Sequence, residues 1–381
     1  FRWILGVFIE DQELAYSTTY NMPAISTSLT AVPGRWWKQD NVREDSQKAI
    51  FGEGTWPIND KTDLTVGLRA YDNQADFDAK DGYMGYYEDH PVLSWAAGRT
   101  EKYSKDFSDV SPKINIAHTL NDDVLLYATY SEGFRPSGTN RLNRQARESG
   151  IVPATYDSDT LTNFEAGFKS TLADGKIVLN GNFHTMNWDD FQSTSYIYDL
   201  LTVAFVQNVG QATISGLELE SYFNISDSFS ASLMIALTDP EFKEDIYDLQ
   251  GELSTPKGNQ LAYVPTEQFV MSMNKDFVIR NRDAYVSYDH SYTGESYQSS
   301  ANTDTNASYS LANLRFGVNP SSKGSSDADD IFGFLQNSSV EVYLENVHDS
   351  DPTLGIYDDF GDVRRTGSKP RTIGLRLRYR F

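Results

Sequence analysis

The chain has 381 residues, no cysteine, and a formal net charge of −22 at pH 7. The missing cysteines exclude a disulfide scaffold and a thiolate-held metal. The acidic balance excludes nucleic acid as a partner, because phosphate binding needs clustered Lys and Arg.

Aromatic residues make up 13% of the chain, mostly its 23 Tyr and 21 Phe, while overall hydropathy is negative. A soluble core relies more on Leu, Ile and Val. A barrel with a wet lumen and aromatic girdles needs Tyr and Phe but no long apolar runs. No run approaches the roughly 18 apolar residues of a spanning helix. A closed barrel is then the one way left to satisfy backbone polar groups in lipid.

Taken in chain order, alternation of period two marks strands near 1–11, 46–57, 61–73, 110–119 and 123–133. It continues near 159–171, 176–190, 203–224, 228–238, 263–275 and 283–292, and ends near 307–318, 338–347 and 370–381. A length of roughly ten residues suits a tilted membrane strand. In the third strand Leu64, Val66, Leu68 and Ala70 alternate with Thr65, Gly67, Arg69 and Tyr71. The segment 203–224 is longer than the rest and holds Gly210 and Gly216, so it is expected to bend or to protrude beyond the membrane. Ala312, Leu314, Phe316 and Val318 alternate with Asn313, Arg315 and Gly317, as Val340, Val342 and Leu344 do with Glu341, Tyr343 and Glu345. The last strand is the clearest. Ile373, Leu375, Leu377, Tyr379 and Phe381 share one face, and Thr372, Gly374, Arg376, Arg378 and Arg380 share the other.

Loop lengths decide between this barrel and a soluble sandwich, whose strands alternate in the same way. Compact turns at Asn59-Asp60-Lys61, Asn121-Asp122-Asp123, Ala173-Asp174-Gly175 and Ser226-Asp227 alternate with long connections at about 12–45, 74–109, 134–158, 239–262, 293–306 and 348–368. Loops beyond about 12–15 residues are uncommon in compact soluble domains, whereas outer-membrane barrels pair short periplasmic turns with long external loops. The stretch 319–337 breaks the rule, being long where a periplasmic turn is due. The fold expected is all-β, a transmembrane antiparallel up-and-down barrel wall of about fourteen strands. Its first strand runs outward, and its C-terminus lies at the periplasmic rim.

Three motifs then resemble the TonB-dependent receptors of Gram-negative outer membranes. The first is Ser111-Pro112-Lys113-Ile114-Asn115-Ile116 followed by Asn121 through Tyr130-Ser131-Glu132-Gly133-Phe134-Arg135-Pro136. The second runs from Asn208-Val209-Gly210-Gln211-Ala212 to Gly216-Leu217-Glu218-Leu219-Glu220. The third is Leu344-Glu345-Asn346-Val347 followed by the terminal strand. Their order and spacing cover nearly the whole chain. The family's transporters are 22-stranded with a plugged lumen, so the resemblance implies that the plug and the first strands precede Phe1. A fourteen-stranded barrel closed on itself is the alternative.

What the resemblance implies is energised uptake of a scarce solute, with a ferric siderophore as the commonest class and heme, cobalamin or a glycan left open. The implied partners are outer-membrane lipid, the protein's own plug, the TonB energy complex acting through that plug, and the barrel-assembly machinery. The terminal Ile373, Leu375, Leu377, Tyr379 and Phe381 are implied as the assembly signal. Arg69, Arg315, Arg376, Arg378, Glu218 and Glu341 are expected to face the lumen and its plug. Trp36 and Trp37, in the expected loop 12–45, and Tyr83, Tyr86, Tyr87 and Trp95, in 74–109, are the ligand-contact candidates, since flat aromatic faces bury a planar or sugar-like solute with little entropy lost. A passive porin-type channel and a secreted soluble glycan-binding β-protein are the competing readings.

No enzyme, cofactor or metal site is expected. His90, His118, His184, His290 and His348 are scattered without metal-ligand spacing, and neither a Gly-x-Ser-x-Gly elbow nor a phosphate loop occurs. Asp349, Asp351, Asp358, Asp359 and Asp362 offer hard oxygens for Ca²⁺ but lack the regular spacing of a Ca²⁺ loop, so they read as a solvated acidic loop.

Overall fold

The computed structural model describes residues 1–21, 35–83, 100–140, 146, 149–197, 203–279, 282–320, 338–359 and 362–379. Strands β1 (Arg2–Asn21), β2 (Arg35–Asn59), β3 (Thr62–Tyr83), β4 (Glu101–Asn121) and β5 (Val124–Arg135) open the sheet. A ribbon of β6 (Gly138–Thr139) and β7 (Thr155–Tyr156) precedes β8 (Asp159–Leu172) and β9 (Ile177–Asp189). The hairpin β10 (Gln192–Ile197) and β11 (Val203–Asn208) comes before β12 (Ala212–Ser226) and β13 (Phe229–Phe242). After the ribbon β14 (Ile246–Tyr247) and β15 (Leu253–Thr255) come β16 (Glu267–Ile279) and β17 (Arg282–Thr293). The ribbon β18 (Ser296–Tyr297) and β19 (Thr305–Asn306) leads to β20 (Tyr309–Val318) and β21 (Ser338–Glu345). The hairpin β22 (Thr353–Asp359) and β23 (Asp362–Gly367) leads to the last strand, β24 (Thr372–Tyr379).

Fourteen of these form one antiparallel sheet in the order β1-β2-β3-β4-β5-β8-β9-β12-β13-β16-β17-β20-β21-β24. Every neighbour in space is the next long strand in sequence, which is the up-and-down meander expected. The remaining strands pair only with each other, as small ribbons in the connections at one end. The other end carries the tight turns. There the side chains of Asn59 and Asn121 accept hydrogen bonds from the backbone N–H two residues on, at 2.9 Å each, as Asx turns do.

Two expected loops are largely sheet. β1 and β2 continue to Asn21 and from Arg35, with unbroken register from Ile9↔Lys48 to Tyr20↔Trp37. β3 and β4 likewise extend far past the expected limits of 73 and 110. Beyond Ile9 the residues Glu10, Asp11, Gln12 and Glu13 put polar groups on both faces. Apolar alternation therefore stops at the membrane edge, while the backbone ladder needs no apolar face to go on. The expected strand 203–224 is two elements. β11 turns back on β10, and β12 starts afresh after Gly210, whose φ of +55° is a conformation that L side chains rarely adopt. Of the stretch 319–337, residues 321–337 lie outside the described residues.

The two faces of the sheet differ in chemistry. One ladder row runs Trp3↔Gly54↔Val66↔Ile114↔Tyr130↔Phe164. At the far edge Val340↔Leu377, Val342↔Leu375 and Leu344↔Ile373 lie on the same face. The row one residue over runs Glu53↔Gly67↔Lys113↔Ser131↔Asn163. The apolar face is the barer one, with Val7 73%, Leu375 69% and Ile373 75% exposed. On the polar face the Glu341 and Asp289 side chains are only 17% and 31% exposed. A soluble domain hides its apolar face. This sheet crowds its charges together and leaves oily side chains standing apart, as a wall curved around water and bathed in lipid must.

Candidate functional site

The inner wall is built from charges held in pairs. Lys113 reaches Glu53 at 2.8 Å across the intervening strand, over Gly67. Arg315 pairs with Asp289 at 3.0 Å, and Asp289 also accepts from Ser272 at 2.8 Å. Arg376 pairs with Glu341, which accepts a second bond from the Tyr285 hydroxyl at 2.5 Å. The Tyr285 and Tyr343 rings lie over Gly317 and Gly374, filling space that the glycines leave. Glu218 accepts from Asn182 at 3.0 Å. The Arg69 guanidinium donates to Gln47 at 3.3 Å and lies 5.3 Å from the centre of the Phe8 ring, while its buried Nε has no partner. Arg378 pairs in register with Ser339 on the same face.

At the outer end of this wall the connections fold inward. Asp159, 1% exposed, starts β8, and Arg135 ends β5 opposite it. Arg135 Nε donates to both Asp159 oxygens at 2.8 and 3.1 Å. The backbone N–H groups of Arg135 and Gln192 donate to the same carboxylate at 3.2 and 2.9 Å. Arg135 Nη2 also donates to Asp159 Oδ2, and these five donations to one buried carboxylate fully satisfy it. The guanidinium face then lies 4.6 Å from the Trp188 ring, close enough for a cation–π contact. Phe134, next in the chain, stacks on Tyr71 at 3.7 Å.

Asparagines stitch the two segments around this node together. Asn140 donates to the carbonyls of Pro153 and Val206 at 2.9 and 2.7 Å and accepts from Val206 N–H at 2.7 Å. Asn208 donates to the carbonyls of Asp157 and Asp190 at 2.9 and 2.8 Å and accepts from Asp157 N–H at 2.8 Å. Beneath them Val209, Ala212, Phe242, Ile246 and Leu261 form an apolar cluster with Trp188, Phe191 and Ile214. Burial pushes the Tyr156 phenol above its ordinary range. The result is a pre-formed, aromatic-edged mouth, the kind of surface that binds a bulky solute without first ordering itself.

Of the aromatic candidates, Trp37 lies at the tip of the β1–β2–β3 extension, partly exposed and edge-on to Tyr20 at 5.3 Å. It stands on a strand, not in a loop. Trp36 is the extra residue where the β1–β2 register shifts, and Tyr83 pairs with Trp37; their side chains are outside what is described, as are Tyr86, Tyr87, Trp95 and Phe381. The acidic loop splits. Asp349 and Asp351 pair with Arg371 and Arg365 at 3.6 and 3.3 Å, while Asp358, Asp359 and Asp362 belong to the β22–β23 hairpin. Among the described residues no three His, Cys, Asp or Glu side chains are grouped to hold a metal.

Of the residues that organise the mouth, Phe134, Arg135 and Asn208 lie in the sequence motifs, although their roles are not readable there, while Asn140, Asp159 and Gln192 lie outside them. Phe134-Arg135 packs and clamps the mouth, and Asn208 stitches it. Asn346, with φ +52°, closes β21 by bonding the carbonyls of Ser350 and Lys369 at 2.7 and 3.0 Å. The partner Asp159 carries no signal of its own in the sequence.

A meander of fourteen antiparallel strands, oily outside, charged inside and stitched over at one end, is the wall of an outer-membrane β-barrel. Residues 3–347 match the family model described as TonB dependent receptor-like, beta-barrel. The chain belongs to that family, and it is a protein of the Gram-negative outer membrane. It is 22% identical over 266 residues to the pesticin receptor of Yersinia enterocolitica, covering 69% of this chain and 34% of that protein. Its fold is similar to that of the ferric yersiniabactin uptake receptor FyuA from Yersinia pestis, at TM-score 0.76 and 17% identity, over 100% of this chain and 51% of that one. The siderophore receptor PiuA from Acinetobacter baumannii follows at TM-score 0.67 and 17% identity, over 99% and 52%. The chain thus spans about half of those structures and a third of the pesticin receptor.

Proposed function

We propose that the complete protein takes up a ferric siderophore across the outer membrane, driven through TonB. The observation that carries this reading is the inward-folded mouth clamped by Arg135, Asp159 and Gln192. A passive pore has no need to order its external segments this tightly, whereas a receptor gains affinity from doing so. The printed roles of the similar proteins, uptake of ferric yersiniabactin and siderophore reception, supply the solute class. In this reading Trp36, Trp37, Tyr83, Tyr86, Tyr87 and Trp95 offer aromatic faces to the ligand. The barrel is completed by further strands, and a plug fills its lumen against Arg69, Arg315, Arg376, Arg378, Glu218 and Glu341.

The test is uptake of radioactive iron by cells lacking their own siderophore receptors and carrying the full-length gene. Accumulation with at least one ferric siderophore is expected, abolished when TonB is deleted. Uptake that persists without TonB indicates a passive channel, and no uptake with any ferric siderophore rejects the solute class.

The lumen assignment has its own test. Arg376→Glu sets two carboxylates together at Glu341 and reverses a charge facing the plug. In the full-length protein it is expected to raise sensitivity to bulky antibiotics and detergent several-fold, because a poorly seated plug leaks. Unchanged sensitivity removes Arg376 from the plug contact.

A further inference from the structure

The apolar face of the sheet is not even. Two adjacent ladder rows on it run Ala166↔Phe183↔Leu217↔Leu237 and Phe168↔Gly181↔Leu219↔Ile235 across β8, β9, β12 and β13. They continue the face that Phe164 shows on β8, since alternate residues of a strand share a face. Ala166 and Gly181 are small where their neighbours are large, and the low floor leaves a groove of about 480 Å³, the size of a small-molecule site. Asn182 and Glu218 also line it, but the pleat turns their side chains to the lumen, where Asn182 donates to Glu218 at 3.0 Å. Only their backbone reaches the groove, so no charged side chain enters it.

One end of the groove is marked by a change of chemistry. The next row on the same face is Phe164↔Thr185↔Ser215↔Asp239. Thr185 and Ser215 share a hydrogen bond of 3.0 Å, and Asp239 is exposed beside them. One row further, Thr213 donates to Asn187 at 3.1 Å. On β9, β12 and β13 the oily face therefore ends in hydroxyls, an amide and a carboxylate. This end lies toward the β10–β11 hairpin, which is the outer side of the membrane.

We propose that this groove holds one acyl chain of an outer-leaflet lipid, with the polar end of that lipid at the Thr185–Ser215–Asp239 row. Lipid tails are as apolar as the groove, so shape rather than hydrophobicity decides what fills it. A gap that no atoms fill forfeits the dispersion contacts of its lining, and a flexible chain is what the surroundings supply at this depth. A protein partner fits less well, because the lining falls far short of the roughly 20–30 residues a side of a standard interface. The polar row sets the direction. The hydroxyls meet the lipid's polar linkage, and the methyl end of the chain lies toward Leu219 and Ile235.

The experiment uses the full-length protein in phosphatidylcholine vesicles doped with phosphatidylcholine that carries a photoactivatable diazirine on one acyl chain. Labelled peptides are mapped by mass spectrometry. With the diazirine near the methyl end, labelling around Gly181 and Leu219 is expected to exceed that of Val66 and Leu68, exposed on the same face of β3, by about fivefold or more. With the diazirine near the ester, labelling is expected to move to Thr185, Ser215 and Asp239. Ala166→Phe raises the floor and is expected to bring groove labelling down to that of Val66 and Leu68. Labelling of those two positions should stay constant, which shows that the wall is intact in the variant. Equal labelling of groove and open wall, the reverse order along the chain, or groove labelling unchanged by Ala166→Phe overturns the proposal. Groove labelling that disappears as protein density in the vesicles rises identifies a second copy as the occupant and overturns it too.

Discussion

Replacing Asp159 with Ala is expected to unfasten the outer mouth while leaving the barrel wall intact. The carboxylate is 1% exposed and holds Arg135 together with the backbone N–H groups of Arg135 and Gln192. Breaking a buried pair by removing one partner typically costs about 3–5 kcal/mol. The Arg135 side chain is 44% exposed, so solvent screens part of that loss. Two backbone donors left without acceptors add their own desolvation cost. About 2–4 kcal/mol of local stability should go, all of it from segments 136–158 and 190–211. Asp159→Asn keeps an acceptor oxygen but loses the charge, and should cost about half as much. Hydrogen exchange of the full-length protein provides the check: protection should fall at Asn140, Val206 and Asn208 and stay constant in β16 and β17. Under the proposed function, affinity for the ferric siderophore should fall in parallel, because the mouth must be re-ordered on binding. Equal protection in Asp159→Ala and the parent would mean that the node is ornamental.

The fourteen strands were legible because each crosses lipid, where one face must be apolar. Ile373, Leu375 and Leu377 announce that face without any knowledge of their neighbours, and their partners Leu344, Val342 and Val340 announce the same face from another strand. Outside the lipid the constraint disappears. Residues 10–21 and 35–48 carry no apolar face, yet they pair through Tyr20↔Trp37 by backbone hydrogen bonds that no side-chain pattern records. Trp37 therefore read as a loop residue and proved to be a strand residue. The segment 203–224 was misjoined because β11 and β12 are both good strands, and only the left-handed backbone at Gly210 separates them. The Arg135–Asp159 clamp was half visible. Its arginine stands in a recognisable motif, but the aspartate 24 residues later is one of 54 acidic residues, and a long-range pairing between two charges leaves no periodicity behind. Arg376 with Glu341 was easier, since adjacent strands and a shared face already bring them together.

Leu375→Arg puts the membrane assignment itself to the test, because lipid and water predict different outcomes for the same atom positions. Leu375 is 69% exposed beyond the protein and stands between Ile373 and Leu377 on the apolar face of β24. Were that face in water, an exposed Leu replaced by Arg would change stability by no more than about 0.5 kcal/mol in either direction. In lipid the same change places a guanidinium among acyl chains. On the outer wall of a barrel it costs about 2–4 kcal/mol near the midplane, falling toward the interfaces. Leu375 lies a few residues from the rim, so snorkelling of the long side chain returns part of this cost, and about 2 kcal/mol is expected. Arg378→Leu is the mirror experiment. It puts an apolar side chain on the wet face, where Arg378 pairs in register with Ser339, and it is expected to change stability by less than half as much. Denaturant unfolding of the full-length protein refolded into phospholipid vesicles measures both. A destabilisation by Leu375→Arg well above that of Arg378→Leu means that the oily face is immersed in lipid. Two small effects of equal size would turn the sheet into a water-exposed one, and would take the lumen, the plug contacts and the transport reading with it.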